Sequence, residues 1–272
     1  MKKNWRIFGA GLIVPIVLIL VWHTFSTRGW VNPQMLPAPL DVLKKWIEYG
    51  APREAFNPAV ESWLSWIFSG EMVRDIMGSM YRVFAGFLIG TTLALPLGLI
   101  MGTNQRIFVL LNPLIQLHRP IPPIAFTPLA ILWFGLGDAP AIFLISIGAF
   151  FPVLMNTIAG VHHVDSIYIR AARNLGANQF TMFSRVILPA AVPYILSGVR
   201  IGIGSAFICV IIAEMLAVNN GIGFRIQEAR EYFWTDKIIA GMYTIGFLGL
   251  AIDIAMNKLN NYLLRWHRGL ES

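Results

Sequence analysis

Residues 168–189 read Tyr-Ile-Arg-Ala-Ala-Arg-Asn-Leu-Gly-Ala-Asn-Gln-Phe-Thr-Met-Phe-Ser-Arg-Val-Ile-Leu-Pro, a polar and basic island between two long apolar runs. Asp165 is placed to cap a helix that starts directly after it, and Gly176 suits the position past the end of that helix, where a positive φ is common. Asn178 is placed to cap a second short helix, which Pro189 would close before the next apolar run. The pattern predicts two short amphipathic helices that meet at a glycine and form a compact knob. A loop lying against a membrane is the alternative.

The composition excludes a soluble domain. The 272 residues are 56% hydrophobic and 13% charged, whereas soluble domains carry about 25% charged residues. The class is therefore a multi-span integral membrane protein. The formal charge of +7 would favour nucleic-acid binding in a soluble chain, but in a membrane protein basic residues collect in cytoplasmic loops. No nucleic-acid partner is expected.

Six apolar runs are long enough, at about 20 residues each, to cross a bilayer as helices. They cover residues 7–25, 83–102, 107–135, 140–159, 190–217 and 238–257. The predicted fold class is all-α integral membrane with about six transmembrane helices.

The basic residues predict the orientation of these spans. With the N-terminus in the cytoplasm, the inside segments carry ten basic residues against two acids, Asp165 and Glu271. The outer loop 218–237 is balanced, with three of each sign. This asymmetry is the positive-inside pattern, and an even number of spans places both termini in the cytoplasm.

Four regions follow from these spans. They are an N-terminal transmembrane helix at 1–27, an outer amphipathic segment at 28–78, a core at 79–260 with a cytoplasmic loop at 160–189, and a tail at 261–272. Within the second region a helix is predicted from Pro39 to Gly50. Its apolar face would carry Leu40, Leu43, Trp46 and Ile47, and it either lies on the membrane surface or packs on the rim of a dimer.

The third run indicates a possible pathway, because it is interrupted by Pro120, Pro122 and Pro123. Broken backbone at membrane depth is tolerated where it is buried in protein or lines a cavity. Arg119 precedes the break at ~18 Å depth and Arg200 lies ~15 Å into the fifth span. Such cations face a bundle interior or an aqueous cavity, so both are candidates to favour passage of an anion. Alternatively, Arg200 pairs with Asp138 or Asp253 and Arg119 bonds to carbonyls freed by the prolines.

Glu214, near the outer end of the fifth span, is a further pathway candidate. It is either a proton-relay group or a capping and gating contact for the turn at 219–221. His162 and His163 are adjacent and have no nearby Cys or Glu, so a solvated pair is expected rather than a metal site. The chain contains no G-x-x-x-x-G-K-[ST] phosphate loop, and nothing marks a catalytic triad. The chain is therefore predicted to be neither an ATPase nor another enzyme.

The knob resembles the "EAA" loop of ABC-importer permeases, where the membrane subunit docks on its ATPase. The match rests on Ala171, Ala172, Gly176 and the pair Leu188-Pro189, while the usual first-position Glu is Arg170 here. Further matching pieces are Leu36–Pro39, Arg119–Pro123, Ile131–Gly135, Gly198–Gly202 and Ala213–Met215. Together they look like the branch that carries taurine, alkanesulfonates, nitrate and bicarbonate. Ile169–Ala172 and Leu264–His267 are most similar to the taurine and sulfonate members.

The resemblance implies a type I ABC-importer transmembrane domain in a bacterial cytoplasmic (inner) membrane. Its partners would be a second copy of the chain, membrane lipid, two cytoplasmic ATP-binding subunits and a periplasmic or lipid-anchored substrate-binding protein. ATP and Mg²⁺ would be bound by the ATPase, so no cofactor is expected in this chain. The residues implied in ATPase coupling are Arg170, Ala171, Ala172, Arg173, Gly176, Leu188 and Pro189.

The implied substrate is a small anion, taurine or an alkanesulfonate, with nitrate or bicarbonate as alternatives. A function of another class also stays open, a proton-coupled secondary transporter that uses Glu214, Asp253 or Asp138 as a relay. A membrane anchor for a cytoplasmic complex is the third possibility, and it would leave the midplane arginines without a role.

Overall fold

The computed structural model describes residues 2–52, 62, 63, 66 and 68–264, with side chains from residue 13 onward. Part of the predicted outer segment (53–61) and most of the predicted tail (265–272) lie outside the described residues. In chain order the helices are α1 (Lys2–Thr27), α2 (Pro39–Gly50), α3 (Glu71–Thr103), α4 (Gln105–His118), a 3-10 turn (Pro123–Phe126), α5 (Thr127–Phe134), α6 (Asp138–His162), α7 (Ser166–Asn174), α8 (Gln179–Met182), a π turn (Phe183–Ile187), α9 (Leu188–Ala217), α10 (Ile222–Glu231) and α11 (Thr235–Leu263).

Four of these helical stretches are long and apolar enough to cross a membrane. They are Glu71–Thr103, Asp138–His162, Gln179–Ala217 and Thr235–Leu263. Two shorter apolar helices cover Ile13–Thr27 and Pro123–Phe134, where the sequence predicted the first span and the second half of the third. The predicted all-α membrane architecture is confirmed.

Helical structure is continuous from Gln179 to Ala217, so Pro189 does not close the second knob helix before the fifth span. Pro189 instead occupies the first turn of α9. A proline is tolerated there, because it removes a donor that the first turn leaves unpaired. The π turn just before it joins α8 to α9 without a break.

α3 begins at Glu71, twelve residues before the apolar run that marks the second span. Hydropathy starts the predicted span too late because the first turns of α3 carry charged side chains, among them Asp75 and Arg82. Both are buried, along with Ser79. A charge buried in this way needs partners from elsewhere in the fold.

The core is built from α3, α6 and α9. One buried cluster joins all three helices through Val83, Ile145, Ala149, Ala206 and Val210. Another joins α3 and α6 to α4 through Ala94, Met101, Ile115 and Leu154. Close approach of α3 to α6 depends on small residues every fourth position, namely Gly86, Gly90, Ala94, Gly98 and Gly102. Small residues at this spacing let membrane helices pack backbone to backbone.

The third predicted span is broken, as the prolines indicated. α4 ends at His118, the 3-10 turn starts at Pro123, and α5 continues to Phe134. Residues 119–122 between them form a turn, with the Ile121 amide bonded to the His118 carbonyl at 3.0 Å.

α2 runs from Pro39 to Gly50 as predicted, but Trp46 is not on the expected apolar face. Its indole Nε1 donates to Thr244 Oγ1 of α11 at 2.9 Å, and Val42 is buried beside it. Leu40, Leu43 and Ile47 remain exposed. One face of α2 therefore packs on its own chain and a second apolar face points outward.

Candidate functional site

The knob, residues 164–187, has the caps and the glycine turn that its sequence predicts. The Asp165 carboxylate accepts a hydrogen bond from the Ile167 amide at 2.8 Å, and Asn178 Oδ1 accepts one from the Thr181 amide at 2.8 Å. Gly176 has φ +79°, a conformation that strains any residue with a Cβ. These caps and the glycine fix the angle between α7 and α8.

Apolar side chains on the knob point away from the rest of the chain. Leu175 is 88% exposed and Phe180 is 79% exposed, and Ile167 and Tyr168 are exposed as well. Arg170, Ala171 and Arg173 share this open surface, while Ala172 is half-buried. Exposed apolar patches outside the membrane mark interaction sites. The knob thus presents a surface that a partner protein would cover.

A cavity of 510 Å³ separates the knob from the α3–α4 turn. It is lined by Thr103 and Asn104 on one side and by Arg173, Asn178 and Phe183 on the other. Leu188 and Pro189 lie beyond it, at the start of α9. We call this end of the bundle the knob end. The adjacent His163 stacks on Tyr194 with ring centroids 5.1 Å apart.

The opposite end, the network end, contains a buried ionic cluster around Arg82. The guanidinium Nη1 bonds to Glu214 Oε1 at 2.6 Å, and Nε bonds to Asp138 Oδ1 at 2.7 Å. It also donates to the carbonyl and the side-chain oxygen of Asn220. Arg82 is 2% exposed and Glu214 is fully buried. One guanidinium therefore ties together α3, α6, α9 and the turn after α9.

A second carboxylate, Asp75, extends this network to α2 and α10. It accepts hydrogen bonds from Tyr49 Oη at 2.9 Å, from the Gly221 amide at 3.0 Å and from Arg225 Nε at 2.8 Å. Arg225 also pairs with Glu71 at 3.0 Å. Burial, followed by the Asp75 carboxylate, raises the pKa of Tyr49 above its usual value, since both disfavour a phenolate.

Glu214 has the capping role that was one of its two predicted alternatives. Its Oε2 accepts from the Gly223 amide and from Ser79 Oγ, both at 2.9 Å. Gly221 passes directly over the carboxylate with φ +108°, and a Cβ there would lie 2.5 Å from the Glu214 carboxyl carbon. The turn after α9 is thus built onto the Glu214 side chain.

Sequence reasoning missed the cations of this network, Arg82 and Arg225, and the carboxylate Asp75. One signal was available. Arg82 stands at the outer end of a predicted span, where the positive-inside pattern leaves a cation without an explanation.

At mid-depth the two predicted pathway arginines occupy different environments. Arg119 lines a cavity of 380 Å³ between the helix break, α6 and α9, together with Pro123, Asn156 and Ser205. Arg200 is not among the lining residues. Its Nη2 lies 2.8 Å from Asp253 Oδ1 on α11, one of the partners suggested for it. Pro120, Pro122 and Glu214 do not line the cavity either.

Comparison with known families identifies the class of protein. The family model described as "Binding-protein-dependent transport system inner membrane component" matches residues 94–269, more than half of the chain. The chain belongs to this family. It is thus an ABC-importer permease component, and the matched range of the permease model includes the knob, Arg119, Arg200 and Glu214.

Named relatives of this permease cover nearly its whole length. The taurine transport system permease protein TauC of Escherichia coli (strain K12) is 34% identical over 92% of this chain and 87% of its own. SsuC of Bacillus subtilis (strain 168), named for aliphatic sulfonates transport, is 35% identical over 96% and 88%. The bicarbonate transport system permease protein CmpB of Synechococcus elongatus is 32% identical over 97% and 93%. The permease is thus similar to permease proteins named for the transport of taurine, aliphatic sulfonates and bicarbonate.

A solved structure supports the fold. An inward-facing conformation of the MetNI methionine ABC transporter superposes with a TM-score of 0.60 at 18% identity, over 71% of this chain and 94% of that one. At this identity the likeness concerns architecture alone, and it agrees with the predicted type I importer fold. Arg82 and Asp75 precede residue 94, where the permease model begins, so the network end is partly built from residues outside the matched range.

Proposed function

We propose that this permease forms the translocation path of an ATP-driven importer of small anions, with organic sulfonates as the substrate class. It works as a homodimer, and two ATP-binding subunits dock on the two knobs at the cytoplasmic face. The observation that carries the proposal is the knob itself, a rigid two-helix projection whose most exposed side chains, Leu175 and Phe180, are apolar.

The mechanism follows from how the knob is attached. α8, the π turn and α9 are one continuous helical stretch, so a displacement of the knob acts directly on the start of α9. α9 carries Ser205 at mid-depth and Glu214 at the network end. ATP-driven closure of the ATPase pair would therefore shift the far end of α9 and switch the path between inward- and outward-open states.

The substrate class is supported by the names of the relatives and by charge. Two of the three relatives described above are named for taurine or aliphatic sulfonates. Arg119 faces a cavity at membrane depth, and a guanidinium suits a sulfonate head group. A substrate-binding protein that delivers the anion would dock at the periplasmic face, the network end, where α2 and α10 are accessible.

The geometry disfavours a proton-coupled carrier. Its three candidate relay carboxylates each bond to an arginine, Glu214 and Asp138 to Arg82, and Asp253 to Arg200. All three side chains are thus engaged in ion pairs that hold helices together, which a relay group would have to break at each proton transfer.

The test is co-purification of the ATPase with two matched surface variants. Leu175→Asp places a charge on the knob, and Phe233→Asp places one at the network end, where Phe233 is 82% exposed with φ 57°. An apolar anchor buried in an interface contributes about 2 kcal/mol or more, so we expect Leu175→Asp to lose most of the ATPase, while Phe233→Asp keeps it. Equal ATPase recovery from the two variants would contradict docking at the knob.

A further inference from the structure

The cavity beside Arg119 lies near the middle of the membrane-spanning core. Phe151 on its α6 wall is 13 residues from Asp138 and 11 from His162, or about 20 Å and 17 Å along the helix. Ile201 on its α9 wall is 13 residues from the start of α9, again about 20 Å. Both walls therefore place the cavity at the centre of a hydrocarbon core about 30 Å thick.

Arg119 has no counter-ion at this depth within the described part of the chain. Among the described residues its guanidinium forms no ion pair, and the side chain is exposed to the cavity. Arg200, at comparable depth, is neutralised by Asp253. A cation kept unpaired in the centre of a membrane protein is costly and is normally retained for a ligand or an ion path. The helix break at 119–122 is what allows Arg119 to reach the cavity.

Two further polar groups face the same space, Asn156 of α6 and Ser205 of α9. Asn156 Nδ2 donates one hydrogen to the Pro152 carbonyl at 2.8 Å, which leaves its second amide hydrogen free. The Ser205 hydroxyl is in hydrogen-bond contact with Cys209, and as a hydroxyl it can both accept there and donate its proton into the cavity. Together with the guanidinium, these donors come from three different elements and suit a head group that has three oxygen acceptors.

The remaining walls are apolar and are formed by Ile121, Pro123, Ile147, Phe151, Met155 and Ile201. Within the described chain no acidic residue lines the cavity. Its volume of 380 Å³ is in the range of small-molecule sites, about 300–1,000 Å³. A nitrate or bicarbonate ion would leave these apolar walls unused, and the ammonium group of a zwitterion would find no counter-charge.

We propose that this cavity is a membrane-depth subsite for a small sulfonate with an uncharged apolar tail, whose head group is bound by Arg119, Asn156 and Ser205. The proposal rests on the proposed function, because the cavity would be a site within the translocation path. This site would recognise the negative head group and the apolar tail of the substrate. It also distinguishes the arginines, since Arg119 binds the anion and Arg200 stays in its ion pair. Alkanesulfonates would bind this subsite better than taurine does.

The test measures binding to the permease–ATPase complex in nanodiscs without the substrate-binding protein, using radiolabelled ethanesulfonate. Saturable binding is expected, and Arg119→Gln should weaken it at least about tenfold, because a charge-assisted hydrogen bond is lost. Arg106→Gln is the matched control. Arg106 is exposed at the start of α4, the helix that ends just before Arg119. It lies 13 residues and about 20 Å away, and its loss should change affinity less than about twofold. Unlabelled taurine should compete at least about tenfold more weakly than unlabelled ethanesulfonate.

Equal affinity of Arg119→Gln and wild type would overturn the proposal, as would equal competition by taurine or an absence of binding to the wild-type complex. If Arg119→Gln does not assemble, Arg119→Lys keeps the charge without the planar fork, and wild-type affinity in that variant would equally overturn it. ATP-driven sulfonate uptake by the wild-type complex with its binding protein is measured in parallel. Uptake without subsite binding refutes the subsite alone, whereas the absence of an ATPase partner refutes the proposed function.

Discussion

The substitution Glu214→Gln tests the buried ion pair at the network end. Glutamine has the shape of glutamate but no charge. Its carbonyl oxygen can keep the position of Oε2, which accepts from Ser79 Oγ and the Gly223 amide at 2.9 Å. Its NH₂ group then points at Arg82 Nη1, which lies 2.6 Å from Oε1 in the native protein. Two donors would face each other, and the guanidinium would lose its fully buried partner.

The expected loss of stability follows from burial. Removing one partner of a buried pair costs about 3–5 kcal/mol, because the other charge is left without compensation. Arg82 is 2% exposed. In the variant its Nε keeps the ion pair with Asp138 Oδ1 at 2.7 Å, and the Asp138 side chain is 53% exposed. This remaining partner places the effect near the lower limit, about 3 kcal/mol. That is more than a hundredfold in the folding equilibrium.

The assay is equilibrium unfolding of the purified permease in dodecylmaltoside by increasing mole fractions of SDS, followed by tryptophan fluorescence. Arg82→Met and the double variant complete a mutant cycle. The double variant removes both charges, so it should be destabilised by at least about 1.5 kcal/mol less than the sum of the single variants. A loss under about 1 kcal/mol for Glu214→Gln, or strict additivity in the cycle, would refute the reasoning.

Three further predictions concern other parts of the fold. Gly86→Ala should destabilise the bundle by about 1–3 kcal/mol through overpacking, because the added Cβ would lie 2.7–2.8 Å from atoms of α6. Gly204→Ala is the control. Its Cβ would have no atom within 4 Å, so it should be neutral or stabilising in the same unfolding assay. The pKa of Tyr49 is raised above its usual 10, so its protonated form contributes stability that is present below pH 10 and lost as the pH rises further. Tyr49→Phe should therefore reduce the alkaline loss of stability, and an unchanged pH profile would argue against the contact with Asp75. Arg200→Gln should leave the preference for sulfonate over uncharged solutes intact in uptake assays, because the Arg200 charge is already neutralised by Asp253. If the variant lost that preference, Arg200 would have to be counted as a pathway residue.

Much of the knob is determined locally, which is why the sequence predicts it. The two caps lie within three residues of the amides they accept from, and Gly176 takes a positive φ at the end of its own helix. Such contacts depend on short-range geometry alone. The helix break at 119–122 is also determined locally, because a proline removes a backbone hydrogen-bond donor whatever the tertiary structure around it. Within the knob, the one wrong prediction was a break between α8 and α9. From the sequence, a proline in the first turn of a helix cannot be told from a proline that follows the end of one.

The network and the cavity depend on contacts distant in the chain. Arg82 meets Glu214 across 132 residues, and Asp75 meets Gly221 across 146. Nothing in the spacing of either residue selects its partner, and hydropathy even places Asp75 outside the membrane-spanning helix. The stripe of five small residues at every fourth position of α3 was visible in the sequence, but it does not tell which helix packs against it.

The sequence by itself therefore determined the all-α membrane class, the caps and the turn of the knob, and the chemistry of the two midplane arginines. Only the tertiary structure decided which arginine faces a cavity and which is neutralised. The physical reason is that the effective charge of a guanidinium at membrane depth depends on the carboxylates within about 4 Å of it. For Arg200 that carboxylate comes from α11, 53 residues further along the chain.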